Sequence, residues 1–413
     1  MTPQVKGKVK GITKMILQVL LAALATASLS ACLGPRTLHR SVLGYDETVL
    51  TTEQQLLLLN IARQHRGFPV HFTTTANIAA TFDWTKSAGI GGRLEEGPYG
   101  FHSLNLNLGA SASENPTFSI VPLSGKEFTK RILTPLDEKT FQFIVHQGAP
   151  VDQVMRLVSS GIMELSQDGK FERFIENHPR RRDEYMEFRQ IATHLAWIQA
   201  NRHLFVRALF FRDHLMMVNA EPRSEDVGKG FEFGLQWRQK GKQFELTKWR
   251  AGRVVVTNYD PNALSDQEKQ ELNDRIKKFV PSDFVFLDIR KDKPGGEWPI
   301  TGGIKMRSFL GIIYFIANTI EQNQEFAVSK HPRTPGVLDP RTGQSGTNPE
   351  AIMQVRVEEN RPPENVPSVW FQGRFYSIAP DEQSLSSFRL LHYLYQTTVA
   401  EITSPGIPIT ISK

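Results

Sequence analysis

Cys32 is the one cysteine among 413 residues, so no disulfide within the chain can hold it together and its fold must come from a buried apolar core. The position of that cysteine is equally informative. Lys6, Lys8, Lys10 and Lys14 precede an apolar run, Met15 to Ala27, broken only by Gln18 and Thr26. A membrane-spanning helix needs about 20 apolar residues, so this run is too short. A positive leader, a short apolar stretch and small residues ahead of a cut site describe a secretory signal. Residues 1–31 are therefore set aside, and 32–413 must supply the fold.

Leu29-Ser30-Ala31-Cys32 resembles the bacterial lipobox, a leucine and two small residues ahead of a cysteine. The resemblance implies diacylglycerol on the Cys32 thiol, cleavage before it and acylation, for example by palmitate, of the new amino group. Each buried methylene contributes roughly 0.8 kcal/mol, so two or three chains hold a protein almost permanently. Leu33, not Asp, follows the cysteine, which by resemblance to enteric lipoproteins implies sorting to the outer membrane with the body facing the periplasm. An ordinary signal peptide with an incidental cysteine is the alternative. The stretches NIAATFDW, GASASENPTFSIVPLSGKEF and KMRSFLGIIYF also resemble those of uncharacterised proteobacterial lipoproteins. That likeness brings no activity with it.

The formal charge is +6, but four lysines leave with the leader, so the mature protein is near +2 and nucleic acid is not an expected partner. An apolar fraction of 40 % with 26 Phe is enough for a real core. The expected class is α+β, with helices packed on small antiparallel sheets in two or three units. The expected divisions are a tether at 32–50 and units at 51–170, 171–290 and 291–413.

Thr51-Thr52-Glu53-Gln54 offers a capping-box start for a helix that Gly67 would stop. Strand-like alternation follows. Ile78, Ala80, Phe82 and Trp84 fall on one face of a first run, and Leu104, Leu106, Leu108 and Ala110 on one face of a second. The other face of the second run, from Ser103 to Ser111, is small and polar, and Asn115-Pro116 is expected to end it.

Ser124 and Asp137 are expected helix caps, and Pro150 opens a third helix. A longer helix is expected from about Arg180 to Arg202. Lys240-Gly241 reads as a hairpin turn that places Trp237 opposite Phe244. Ser265 caps a further helix, and Lys291 to Gly303 reads as a boundary loop. Ile304 to Ile320 reads as a buried helix, Gln372-Gly373 as a turn pairing Trp370 with Phe375, and Asp381 as a cap. Ile407 to Ile411 reads as a short strand.

Chemistry is sparse. Eleven histidines show no HExxH or Cys/His spacing, and no G-x-S-x-G elbow or phosphate-binding glycine loop is present. No metal or cofactor is expected. Arg180-Arg181-Arg182 stands at a helix start, where the helix dipole disfavours cations. Either Asp183 and Glu184 offset it on a solvated face, or it meets an anionic partner.

The expected function is a non-catalytic envelope lipoprotein with a structural or assembly role, working through envelope protein partners or copies of itself. Two alternatives stand beside it. One is an oligomeric pore to which each copy lends the hairpin 77–111, since arms of about 8–10 alternating residues suit a tilted bilayer crossing. Against it, Asp83 and the small Ala80 leave a thin apolar band, and a half-buried sheet over the helices explains the same pattern. The other is a protein that binds or processes cell-wall polymer or polysaccharide.

Overall fold

The computed structural model describes residues 33–93, 103–166, 168–321, 324–336, 349–399 and 409–412. The chain divides into two compact units, one up to Leu56 and one from Leu57 onward. Helix α1 runs over Leu33–His65, so the stretch expected as a tether is helical. Thr51 to Gln54 therefore lie inside the helix and cap nothing. The Thr48 and Thr52 hydroxyls instead donate to the carbonyls of Gly44 and Thr48, four residues back. Gly67 stops the helix at φ 76 as expected, with the Phe68 N–H donated to the Arg63 carbonyl.

Two long strands follow, β1 (Phe72–Arg93) and β2 (Ser103–Leu123). Helices α2 (Lys126–Leu133), α3 (Glu138–His146) and α4 (Val151–Val158) lead to strands β3 (Ser159–Leu165) and β4 (Phe171–Glu176). Next come α5 (Arg182–Ala200), β5 (Phe205–Val218), α6 (Ser224–Glu232), β6 (Leu235–Lys240) and β7 (Gln243–Thr257). They are followed by α7 (Asp266–Phe279), β8 (Phe284–Ile289), β9 (Ile300–Met306) and α8 (Phe309–Thr319). The last elements are β10 (Val355–Glu358), β11 (Ser368–Phe371), β12 (Arg374–Ile378), α9 (Glu382–Val399) and β13 (Ile409–Ser412). The architecture is α+β.

The core is built on a seven-stranded sheet in the order β4-β3-β9-β8-β7-β5, with β6 also on β7. All six residues of β8 are buried, because helices cover both faces of the sheet. Val285, Leu287 and Ile289 join Val154, Leu195 and Ile312 on one side, whereas Phe284 and Phe286 join Leu272 and Ile276 of α7 on the other. Helix α7 is also the crossover that lets β7 and β8 run parallel. The expected unit boundaries at 170/171 and 290/291 run through this one sheet, since β3 pairs with β4 and β8 with β9.

Several local expectations shift. The stretch 304–320 splits, with β9 ending at Met306 and the helix starting at Phe309, where the Ser308 hydroxyl oxygen accepts the Gly311 N–H at 3.0 Å. The β6–β7 turn is Gly241-Lys242, so Lys240 pairs with Gln243 and Trp237 with Leu246. Gly241 takes φ 65, which suits the first loop position of a type I′ or II′ turn. Moving the turn by one residue slips the register by two, which keeps the apolar set together. Ser124 does not cap α2, because Gly125 stands there with φ 98. Asp137, Ser265 and Asp381 accept the backbone N–H groups of Thr140, Glu268 and Ser384, as expected of caps. Trp370 pairs with Phe375 across Gln372-Gly373, both at positive φ.

Candidate functional site

The hairpin β1–β2 is far longer than its alternation predicts, at 22 and 21 residues. At about 3.3 Å per residue the ribbon extends roughly 70 Å. Asn115-Pro116 does not end it, because Ala80 pairs with Pro116 and the ladder continues to Phe72 and Leu123. One bulge, between Thr75 and Asn77, interrupts it.

The register sorts the residues into two classes. Ile78 pairs with Phe118, Trp84 with Ala112, Ala88 with Leu108, Ile90 with Leu106 and Gly92 with Leu104. Thr81 pairs with Asn115, Asp83 with Ser113, Thr85 with Ser111, Gly89 with Asn107 and Arg93 with Ser103. Positions directly opposite in an antiparallel ladder belong to one face. An apolar class and a small polar class are thus kept separate over the ribbon, with Lys86 and Glu114 as the charged positions of the apolar class.

At its foot the ribbon is fixed to the body. Phe72 is buried and packs its ring against Phe128, Phe309 and Tyr395. The Tyr395 hydroxyl donates to the Thr73 carbonyl at 2.7 Å. A cleft of about 350 Å³ beside this foot is lined by Phe72, Leu123, Phe128, Ile132 and Leu310. Among the described residues, β2 also pairs on its far side with β13, at Thr117 to Ile120. Among the described residues β1 has no neighbour on its other edge.

A second constellation lies in the body. Arg156 on α4, Arg189 on α5 and Arg307 before α8 are all buried, as are Tyr185 and Glu325. Glu325 accepts hydrogen bonds from Arg156 at 3.1 Å and the Tyr185 hydroxyl at 2.6 Å on one oxygen, and from the Ile352 N–H at 2.6 Å on the other. Arg156 and Arg189 both donate to the carbonyls of Pro349 and Glu350. Arg307 donates to the carbonyls of Arg156, Leu157 and Asn177 and lies 3.8 Å over the Phe315 ring. Burial pulls the Arg307 guanidinium down to about 9. Burial works to raise the Glu325 carboxyl, but the Arg156 charge and the Tyr185 hydroxyl overcome it and hold it below its ordinary value. With both oxygens engaged, Glu325 is a clamp that ties the chain at 325 and 349–352 to α4 and α5.

His194 is buried. Its Nε2–H donates to the Gly295 carbonyl at 2.8 Å, and Nδ1 accepts from the Thr334 hydroxyl at 3.0 Å. Burial lowers its pKa.

Leu29, Ser30, Ala31 and Cys32 lie outside the described residues. The Arg180–Arg182 cluster is exposed but not a free cationic surface. Arg181 lies 3.8 Å from Glu176, and Arg182 stacks 4.3 Å over the Phe326 ring. The buried arginines escaped sequence reasoning. Their one signal is position, since Arg156 sits between Met155 and Leu157, and Arg189 directly follows Phe188 in the apolar stripe. Among the described residues no helix is long and apolar enough to cross a membrane, and no group of His, Cys, Asp or Glu is arranged to hold a metal. No protein family, curated protein or solved structure matches this chain.

Proposed function

We propose that this chain is a lipid-anchored protein of the bacterial cell envelope, tied to the outer membrane through Cys32 and facing the periplasm, and that several copies pool their β1–β2 ribbons into a barrel across a bilayer. The supporting observation is the register, which keeps apolar and polar positions apart along a ribbon with more than twice the length a crossing needs. The membrane segment is about the last ten residues of each arm, Trp84–Arg93 and Ser103–Ala112. Trp84 then falls at the water boundary, where aromatic residues gather, and Lys86 stands two positions further in along β1. Glu114 falls outside the lipid.

One chain supplies two strands, and the smallest membrane barrels use about eight, so at least about four copies are required. The full-length lipidated protein in mild detergent should have the mass of such an oligomer and conduct ions in planar bilayers. Monomers without conductance would sink the barrel.

A second reading keeps the anchor and places the function in contacts with other envelope proteins. Leu215, Met216 and Met217 of β5, with Phe231 and Phe233 at the end of α6, are 44 to 69 % exposed, and exposed apolar surface marks partner sites. A stoichiometric partner that co-purifies and is lost on Phe231→Ser and Phe233→Ser would favour it.

A further inference from the structure

We infer that the C-terminal strand β13 sets where one copy's ribbon can join the next, by occupying the foot of the β2 edge; the inference rests on the barrel reading above. In a bilayer every backbone N–H and C=O must be paired within protein, so neither edge of the ribbon can stay open there. The edge of matching length and alternation is that of a second copy. Because β1 and β2 are antiparallel, placing β1 of one copy beside β2 of the next continues the up-and-down order. Such a head-to-tail contact closes into a ring when its rotation divides a full turn.

Residues Ile409–Ser412 pair with Thr117 to Ile120 of the same chain, so a neighbour's β1 cannot take those positions. The joint is left with Ser103 to Pro116. Fourteen residues at about 3.3 Å, tilted by about 40°, rise roughly 35 Å, enough for a hydrocarbon core of about 30 Å. A second irregularity falls at the same level. The bulge between Thr75 and Asn77 lies opposite Ile120 and Ser119, the residues that Ile409 and Thr410 pair with. Bulges gather at barrel rims, although the β1–β2 ladder itself continues past this one to Phe72 and Leu123. The foot of the ribbon is therefore a three-stranded piece belonging to one copy, and inter-copy pairing begins above it.

The test uses the full-length lipidated protein. Thr117 and Ser412 are ladder partners, so the double variant Thr117→Cys with Ser412→Cys can be locked by a disulfide. With β13 held in place, the ring mass and conductance should match those of the unaltered protein. Rings lost on oxidation and restored on reduction would overturn the inference, because β13 would then have to leave for assembly. Removal of residues 409–413, and separately Thr410→Pro, should replace one ring mass by a spread of masses or open chains. A single unchanged ring mass in both variants would also overturn it. If the unaltered protein forms no rings, the barrel reading fails first, before any variant is made.

Discussion

Arg156 and Glu325 meet at 3.1 Å with side chains that are each 1 % exposed. The pair joins α4 to a stretch more than 160 residues later, at a point the chain reaches only after completing the main sheet. A buried ion pair contributes little net stability against an apolar equivalent, yet removing one partner is costly because the other charge stays buried.

Glu325→Ala should therefore destabilise the body by about 3–5 kcal/mol in urea unfolding at neutral pH. A loss under about 1 kcal/mol would show that the pair is not a clamp. The carboxyl is held below its ordinary value in the folded protein. Its contribution is complete above the unfolded carboxylate pKa, near 4.3, and disappears as pH falls through the lower folded value. The midpoint of unfolding against pH should show that acid step, and Glu325→Gln should remove it.

His194 gives a second pH window. Its folded pKa is lowered by burial, so stability is complete above about 6.5 and declines as pH falls below that value towards the folded one. Thermal unfolding between pH 7 and 5 should follow this decline, with a flatter profile for His194→Gln, which keeps polar contacts but does not titrate. Equal slopes for both proteins would refute the assignment.

Gly302 is required by close approach. A Cβ there would overlap the Met163 carbonyl across the β3–β9 ladder, and backbone cannot step aside as a side chain can. Gly302→Ala should cost about 1–3 kcal/mol. Gly336→Ala, where none of the described residues lies within 4 Å, is the control and should be neutral within about 0.5 kcal/mol.

The ribbon is tested by two neighbouring substitutions. Leu106 pairs with Ile90 in the apolar class, and Asn107 pairs with Gly89 in the polar class. Leu106→Asp should abolish conductance by putting a charge at the lipid face. Asn107→Asp should leave the channel assembled and raise its preference for cations. Equal effects from the two would deny the division.

Much of the fold was legible in local signals. Gly67, Asp137, Ser265 and Gln372-Gly373 act as expected because capping and positive φ are decided within a few residues. The failures are tertiary. Strand β3 follows α4 without a break, and a seven-residue stretch whose apolar residues are Ile162, Met163 and Leu165 is ambiguous until β9 pairs with it. Asn115-Pro116 reads as a stop, yet the ladder passes through it, Ala80 pairing with Pro116 where β2 has, among the described residues of its own chain, no second neighbour. The hairpin's alternation was visible, but its length was not. The buried arginines were invisible because most of their partners, carbonyls and one glutamate, lie far away in sequence.

The most direct measurement is a cysteine scan from Leu104 to Ser111 in Cys32-bearing protein assembled in native envelopes, read with a membrane-impermeant maleimide. Labelling should alternate with a period of two: strong at Asn105, Asn107, Gly109 and Ser111, and weak at Leu104, Leu106, Leu108 and Ala110. Uniform labelling of all eight positions would contradict the account, because the ribbon would then lie in water.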